Sequence, residues 1–507
     1  MPTETLSPTH RKQRGVVKGS ALYTAFTVAQ RGIVFALLPV FAHALSPAGF
    51  GRLGVLIVLL QSAVLVFSFG QEFAMFRQWF QLGDDQDERR AYLRSLGTFL
   101  IAAPLCMACL LEIVVGATGA DIASLPPRAV ELAILAAALQ ATATIMPLSL
   151  LQAQERFQRY AIVSGTSTVL TSAFTVLAVV TLHWGVSGYA GGVAAAAIVT
   201  WLVAAIALPW PRVGVVRRAH VRQAMALGLP MLPHLVSSWA INLADRAVLV
   251  GLISLAALGR YTAASNLAWP VIVVSLALNQ GTRPSYGRAG ASTSEHGSLA
   301  ALITMQFLFS ATAGCAAALL GPPALVQLFP PSYQSAAPLI PWLAFGNALY
   351  AFYAVPMNAI TIFGGKNKYV WVVTASAAAI QIGLLYVVVP SYGVLGAAIV
   401  SAGGSALFFA GIMIFERCVI PGFHVHYDWL TICAGFVTIG GLYVVVDSCV
   451  GYRGIADLLA RLAAMVVIAV LVGGLAARSR LQGALARRRH RAPIAGSDEE
   501  RIPPHDG

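Results

Sequence analysis

Charged residues are scarce in this sequence, since Asp, Glu, Lys and Arg together make up 10% of its 507 residues. A soluble domain carries about 25% charged residues, so the chain has too few charges to cover a surface that faces water. Hydrophobic residues make up 58% of it. They fall in runs of about twenty residues, which is the length that crosses a hydrocarbon core. The composition therefore predicts a membrane protein from end to end.

Cysteine is also scarce, and the six cysteines are scattered along the chain. Cys106 and Cys109 form a CxxC pair, but it lies inside an apolar run with no second pair that would complete a metal site. We interpret the cysteines as small core residues. We expect neither a metal nor a cofactor.

The sequence lacks the common signatures of catalysis. It contains no Walker A motif, no glycine-rich dinucleotide turn, no HExxH and no GxSxG. A D-x-D formed by Asp85 and Asp87 lies in a short, highly charged loop, where solvated carboxylates are ordinary. No loop between apolar runs is long enough for a catalytic domain. We therefore expect a protein that is not an enzyme, with a membrane glycosyltransferase or polymerase as the less favoured alternative.

Apolar runs of membrane-spanning length fill the chain. They lie near residues 19–43, 51–70, 95–117, 129–151, 161–183, 186–208, 223–252, 256–281, 298–328, 336–363, 369–389, 393–415, 429–447 and 457–477. These runs predict an all-α membrane protein of about fourteen transmembrane helices.

The order of the runs predicts the organisation of the chain. We expect a cytoplasmic arm at 1–18, an N-lobe at 19–208, a linker at 209–222, a C-lobe at 223–416, an appended helix pair at 429–477 and a basic, disordered cytoplasmic tail at 478–507. Lys and Arg concentrate in alternate loops, which favours cytoplasmic positions for both termini in a bacterial inner membrane. This insertion topology explains most of the net charge of +13, so no nucleic-acid partner is needed.

An internal repeat relates the first six runs to the second six. LSPAGFGRLG, which contains Arg52, matches ISLAALGRYT, which contains Arg260, 208 positions later. GVSGYAGGVAAA from Gly185 matches GVLGAAIVSAGG from Gly393 at the same offset. The repeat predicts two six-helix lobes related by a pseudo-two-fold axis along the membrane normal, with a site between them near the midplane. That arrangement is typical of transporters.

Arg31 lies near the middle of the first run, where a charge costs about 2.5–3.5 kcal/mol by insertion scales. Such a residue normally faces a polar cavity. Ser20, Thr24, Thr27 and Arg31 recur at spacings of four, three and four, which places them on one helix face. We therefore expect Thr27 and Arg31 to line a cleft.

The seventh run carries a similar polar stripe, because His234, Ser238, Asn242 and Arg246 recur every four residues. Arginine suits phosphate because its planar guanidinium donates paired hydrogen bonds. Our hypothesis is that Arg31 and Arg246 contact an anionic head group, with pyrophosphate the favoured chemistry. The alternative is that each arginine pairs with a carboxylate or a carbonyl and holds helices together.

Four further charged residues are weaker candidates for the site. Asp245 adjoins Arg246, but consecutive side chains point about 100° apart on a helix, so we expect the two not simply to neutralise each other. Asp245 and Glu72 are candidates for a coupling or charge-partner role. Arg52 and Arg260 occupy equivalent outer-edge positions and are candidates to guide a head group, with the anchoring of loops as the alternative.

Several short segments resemble a known family. GLPMLP, NLADRAVLVG, AALGRYTAA, GGKNKY and PSYGVLGAAIVSAGG resemble the polysaccharide-transporter branch of the multidrug/oligosaccharidyl-lipid/polysaccharide (MOP) exporter superfamily. That branch includes O-antigen and exopolysaccharide repeat-unit flippases, and the resemblance covers roughly residues 15–480.

The resemblance implies two six-helix lobes around a cationic cavity that carries undecaprenyl-pyrophosphate-linked sugars outward by alternating access. It implies a lipid-linked glycan as substrate, with membrane lipids and polysaccharide polymerase or export proteins as partners. Lipid II flippases, a related branch with several cavity arginines, are an open alternative. Multidrug antiporters usually have twelve helices and an acid in the first helix. This chain has Arg31 there, which disfavours cationic drugs.

Overall fold

The computed structural model describes most of the chain. The residues described are 26, 28–71, 75, 78–79, 85–118, 124–208, 213–291, 296–361, 369–419, 427–452 and 454–491. The predicted arm at 1–18 and the last part of the predicted tail lie outside them. All regular secondary structure in these ranges is helical, which confirms the predicted all-α class.

The helices follow the apolar runs closely. They are α1 Val28–Ala44, α2 Pro47–Phe67, α3 Gln86–Thr118, α4 Pro127–Ala153, α5 Phe157–Val176, α6 Gly185–Ala207, α7 Arg218–Gly228, α8 Leu232–Leu252, α9 Leu255–Ala268, α10 Pro270–Ala291, α11 His296–Leu328, α12 Leu339–Phe352, α13 Ala354–Ala359, α14 Val370–Val419, α15 Trp429–Cys449 and α16 Ile455–Arg491.

Twelve candidate spans in the described ranges are long and apolar enough to cross a membrane. One of them lies in α14, where two helices meet at Gly393 with φ 56° and ψ −143°. Glycine tolerates this left-handed backbone, which separates the two halves where the sequence predicts two spans. Helix α1 is apolar but shorter. The chain is thus a multi-pass membrane protein, and the count of fourteen crossings stays a prediction.

Helices α2 and α9 cross at a reciprocal contact between two glycines. A Cβ atom on Gly51 would meet the carbonyl oxygen of Leu255, and a Cβ atom on Gly259 would meet the carbonyl oxygen of Pro47. Gly51 and Gly259 are 208 positions apart, as are Pro47 and Leu255. Small residues let helix backbones approach this closely. The contact therefore has the two-fold character that the repeat predicts, while the symmetry of the whole lobes stays a prediction.

The predicted linker at 209–222 and the seventh span at 223–252 differ from the structure. Helix α7 already begins at Arg218, and a 3₁₀ turn at Leu229–Met231 separates it from α8. Pro230 lies in that turn. Because proline has no backbone N–H to donate, it interrupts a continuous helix here. The end of the linker is therefore helical, and the seventh span is broken.

The prediction of a disordered tail from residue 478 is wrong for its first part. Helix α16 continues through the basic segment to Arg491. Ala, Leu, Arg and Gln dominate this segment, and all four are good helix formers. Residues 478–491 are thus helical because their helix propensity outweighs the disorder that their charge predicts.

Arg461 attaches the last two helices to the C-lobe. Its side chain is fully buried. Nη1 donates to the carbonyl oxygen of Leu319 in α11 at 3.0 Å, and Nη2 donates to the carbonyl oxygen of Val450 at 2.6 Å. Nη2 also reaches Asp447 Oδ1 at 3.1 Å, and Nε donates to the carbonyl oxygen of Gly451 at 3.1 Å. The charge is therefore stabilised by hydrogen bonds, as a buried cation requires.

Candidate functional site

A cavity of about 450 Å³ lies between helices of the two halves of the repeat. Helices α1, α2, α5 and α6 line it from the first half, and α8, α9 and α10 line it from the second. Most of its wall is apolar. Its polar lining comprises Arg31, Gln61, Thr171, Ser172, Thr175 and Tyr189 from the first half and Arg246, Thr262, Asn266 and Trp269 from the second. The two arginines that the sequence predicts for a central site thus face one cavity.

Arg31 projects from α1 with an exposed side chain. Within the described part of the chain it forms no hydrogen bond and no ion pair. Its neighbour Gln30 donates from Nε2 to the hydroxyls of Ser164 and Thr168, each at 2.9 Å. These bonds fix α1 against α5, so the position of Arg31 is set while its guanidinium donors stay available to a ligand.

Arg246 is buried in the wall formed by α8 and is 3% exposed. Nη2 donates to Ser265 Oγ at 2.8 Å. Nη1 lies 3.8 Å from Asp245 Oδ1, which is too long for a hydrogen bond. Nη1 is buried and has no hydrogen-bond partner among the described residues. Nη2 is therefore fixed by its hydrogen bond to Ser265, and Nη1 carries N–H donors that no described residue accepts.

The expectation that Asp245 and Arg246 do not neutralise each other is wrong, because the long arginine side chain folds back to its neighbour's carboxylate. Asp245 is itself tightly held. Oδ2 accepts from the Tyr261 hydroxyl at 2.5 Å, and that hydroxyl lies 3.0 Å from Ser401 Oγ. The resulting network joins α8, α9 and α14. A coupling role for Asp245 stays a prediction.

His234 and Asn242 lie on α8 but do not line the cavity. A spacing of four residues advances the side chain about 40° beyond a full turn, so three such steps rotate His234 about 120° from Arg246. Asn242 Nδ2 donates to the carbonyl oxygen of Ser238 at 2.7 Å, within its own helix. The prediction that the whole stripe faces the cavity is therefore wrong.

The remaining predicted site residues lie elsewhere. Arg52 and Arg260 are half-buried, each follows the contact glycine of its helix, and neither lines the cavity. Arg52 Nε is buried without a hydrogen-bond partner among the described residues. A guiding role for this pair stays a prediction. Thr27 and Glu72 lie outside the described residues.

The polar face of α5 also lines the cavity, although it is not among the predicted site residues. Thr171, Ser172 and Thr175 line the cavity opposite the second half. Together with Ser164 and Thr168 they recur at spacings of three and four, which is the pattern that identifies the stripe of the first span. The same search applied to the fifth span would have found them.

A helical membrane bundle whose two halves share a cationic cavity has the architecture of a transporter. Residues 16–280 match the model of the family described as polysaccharide biosynthesis protein, and the chain belongs to this family. The predicted placement in the polysaccharide-transporter branch of the MOP superfamily is confirmed. No curated protein matches the chain.

Solved structures of the same superfamily share the fold. A lipid II flippase, MurJ, in an inward closed conformation matches with a TM-score of 0.71 at 12% identity, over 90% of this chain and 99% of that one. An inward-facing multidrug resistance MATE transporter matches with a TM-score of 0.56 at 16% identity, over 77% of this chain and 94% of that one. An outward-facing MATE transporter matches with a TM-score of 0.51. The chain is thus a membrane transporter of polysaccharide biosynthesis.

Proposed function

We propose that the chain moves undecaprenyl-pyrophosphate-linked oligosaccharide repeat units across the bacterial inner membrane by alternating access, for surface polysaccharide or exopolysaccharide synthesis. The observation that carries the proposal is that Arg31 and Arg246 face one cavity shared by the two halves of the repeat. Arg31 has no ion-pair partner among the described residues, and an anionic occupant would stabilise its charge in this mostly apolar cavity, because unpaired charge is costly there.

Pyrophosphate matches the donors that the cavity presents. Arg246 offers Nη1, a buried donor with no hydrogen-bond partner among the described residues, and Arg31 offers an exposed guanidinium. Two planar guanidinium groups suit two linked phosphates because each donates paired hydrogen bonds to phosphate oxygens. A low-dielectric surrounding strengthens these contacts relative to water.

The rest of the polar lining suits the sugar. Thr171, Ser172 and Thr175 present hydroxyls from α5, and Asn266 presents an amide from α9. Hydroxyls and amides both donate and accept hydrogen bonds, as sugar hydroxyls do. The cavity of about 450 Å³ holds a head group and not a long polyprenyl chain. The polyprenyl tail of the carrier therefore stays in the bilayer.

Transport then requires the two halves to separate at one end of the cavity and close at the other. The α2–α9 crossing closes the bundle at the loops that the charge pattern places outside. We place both termini in the cytoplasm, and the product passes to polysaccharide polymerase or export proteins on the outer side.

A lipid II-type peptidoglycan precursor is the second candidate. It shares the pyrophosphate linkage, and the fold of a lipid II flippase extends over 90% of this chain. A MATE-like drug or cation antiporter is less favoured, because Arg31, which has no ion-pair partner among the described residues, would repel a cationic drug from the cavity.

Reconstituted transport tests the proposal. The purified chain is placed in proteoliposomes with a fluorescent undecaprenyl-pyrophosphate disaccharide, with lipid II, or with a cationic dye under a proton gradient. We expect the disaccharide lipid to cross, and we expect the same sugar on a polyprenyl carrier with a neutral linkage not to cross. Faster movement of lipid II would favour the second candidate. Export of the dye without movement of either lipid would contradict the proposal.

A further inference from the structure

A second cavity of about 400 Å³ lies beside the loop that joins α4 to α5. It is lined by Trp79, Arg89, Gln154, Glu155 and Arg156, together with residues at the start of α3 and the end of α4. It shares no lining residue with the transport cavity. The charge pattern of the loops predicts that it faces the cytoplasmic membrane interface.

Two cations and an aromatic ring form one side of this cavity. The guanidinium carbon of Arg89 lies 4.7 Å from the centre of the Trp79 ring. Arg156 is exposed in the loop directly before α5. Arginine groups that converge on one cavity recognise phosphate, and tryptophan favours the level of lipid head groups. This side of the cavity therefore suits a phosphate group at the membrane interface.

The neighbouring loop adds an anion and an amide. Glu155 adopts a left-handed backbone with φ 55° directly after the end of α4, where glycine is the residue that costs least. The chain has a carboxylate at this position despite the strain. Both polar atoms of the Gln154 amide are buried with no partner among the described residues. The cavity therefore offers an anion, a donor and an acceptor beside its two cations.

We propose that this cavity binds the headgroup of a zwitterionic phospholipid, with the phosphate at Arg89 and Arg156 and the ammonium group at Glu155. A ligand that is only anionic meets repulsion from Glu155, and one that is only cationic meets repulsion from the arginines. A phosphoethanolamine headgroup carries both charges in adjacent positions and has N–H donors for the carboxylate. This site is independent of the transported substrate.

Native mass spectrometry of the full chain in detergent tests the proposal, with phosphatidylethanolamine and phosphatidylglycerol titrated separately. We expect Arg89→Gln/Arg156→Gln to weaken binding of both lipids about tenfold, as loss of charge-assisted hydrogen bonds to phosphate does. We expect Glu155→Gly to weaken the binding of phosphatidylethanolamine and to strengthen the binding of phosphatidylglycerol. Glycine relieves the left-handed strain, so this variant folds even if the double variant does not.

Arg90→Gln is the matched control. Arg90 lies on α3 beside Arg89, pairs with Asp87 at 3.5 Å and does not line the cavity. Its loss should therefore leave the affinity for both lipids unchanged. The proposal is wrong if Arg90→Gln weakens lipid binding as much as the double variant does. It is wrong too if Glu155→Gly changes the affinity for both lipids in the same direction. It is also wrong if soluble phosphoethanolamine binds as tightly as the lipid, because the ligand would then be a free metabolite.

Discussion

Arg31 and Arg246 face the same cavity, but only Arg246 is held there by its neighbours. Ser265 accepts a hydrogen bond from Nη2 of Arg246 and the Asp245 carboxylate lies 3.8 Å from Nη1, whereas Arg31 has no hydrogen-bond or ion-pair partner in the described part of the chain. The two arginines therefore share a proposed role in binding and differ in their role in the fold.

This difference predicts unequal effects on stability. Arg246→Gln leaves Asp245 buried without its cation, so we expect a loss of about 3 kcal/mol in the free energy of unfolding. Arg31→Gln removes no contact of the fold, so we expect a change within about 0.5 kcal/mol. Unfolding of both variants in mixed micelles measures the two values. Equal losses would show that the fold depends on both arginines alike.

The hydroxyl of Tyr261 supports the same network by donating to the Asp245 carboxylate. We expect Tyr261→Phe to lower the free energy of unfolding by about 1.5 kcal/mol, the size of a hydrogen bond to a charged group in a membrane protein. Tyr92→Phe is the control, because the Tyr92 hydroxyl is buried with no partner among the described residues. A loss as large in Tyr92→Phe would mean that the carboxylate contact is not the cause.

The glycine contact between α2 and α9 predicts a conformational effect. A Cβ atom on Gly51 or Gly259 meets a backbone carbonyl of the other helix, so Gly51→Ala and Gly259→Ala should separate the halves at this crossing. We expect a cysteine introduced at Asn266, in an otherwise cysteine-free chain, to react faster with an impermeant thiol reagent added on the side of the crossing. Gly251→Ala is the control, because a Cβ atom there has no neighbour within 4 Å. Unchanged labelling rates in the first two variants would contradict this view of the crossing.

The contacts of Arg461 predict that it stabilises the attachment of α15 and α16. We expect Arg461→Gln to lower the free energy of unfolding by about 3 kcal/mol, because several carbonyl oxygens and Asp447 lose a charged donor. Arg478→Gln removes an exposed arginine from the same helix and should have little effect. Denaturant unfolding measures both variants. Matching midpoints would mean that the last two helices need no such attachment.

Hydropathy was sufficient to predict the helical membrane fold, because each span must be apolar along its length. The insertion cost of a charge also identified Arg31 and Arg246. It was harder to predict which side chains face the cavity, since His234 and Asn242 share a stripe with Arg246 but do not line the cavity. The orientation of each helix depends on how helices from both halves pack. The spacing of residues within one helix does not determine that packing.

Long-range contacts were the least predictable feature. The carbonyl oxygen of Leu319 that receives Arg461 lies 142 positions away in the sequence, and no motif connects the two. The helix over residues 478–491 has a local cause, because its helix propensity outweighs the disorder that its high charge predicts.

Transport of the fluorescent undecaprenyl-pyrophosphate disaccharide by Arg31→Gln and Arg246→Gln tests the central claim most directly. The control is Arg159→Gln, since Arg159 donates to the carbonyl oxygen of Ala207 at 3.0 Å and does not line the cavity. At equal amounts of inserted, folded protein, we expect each cavity variant to transport about tenfold more slowly or worse, and the control to match the wild type. Equal transport by all four proteins would contradict the claim that the arginines bind the pyrophosphate.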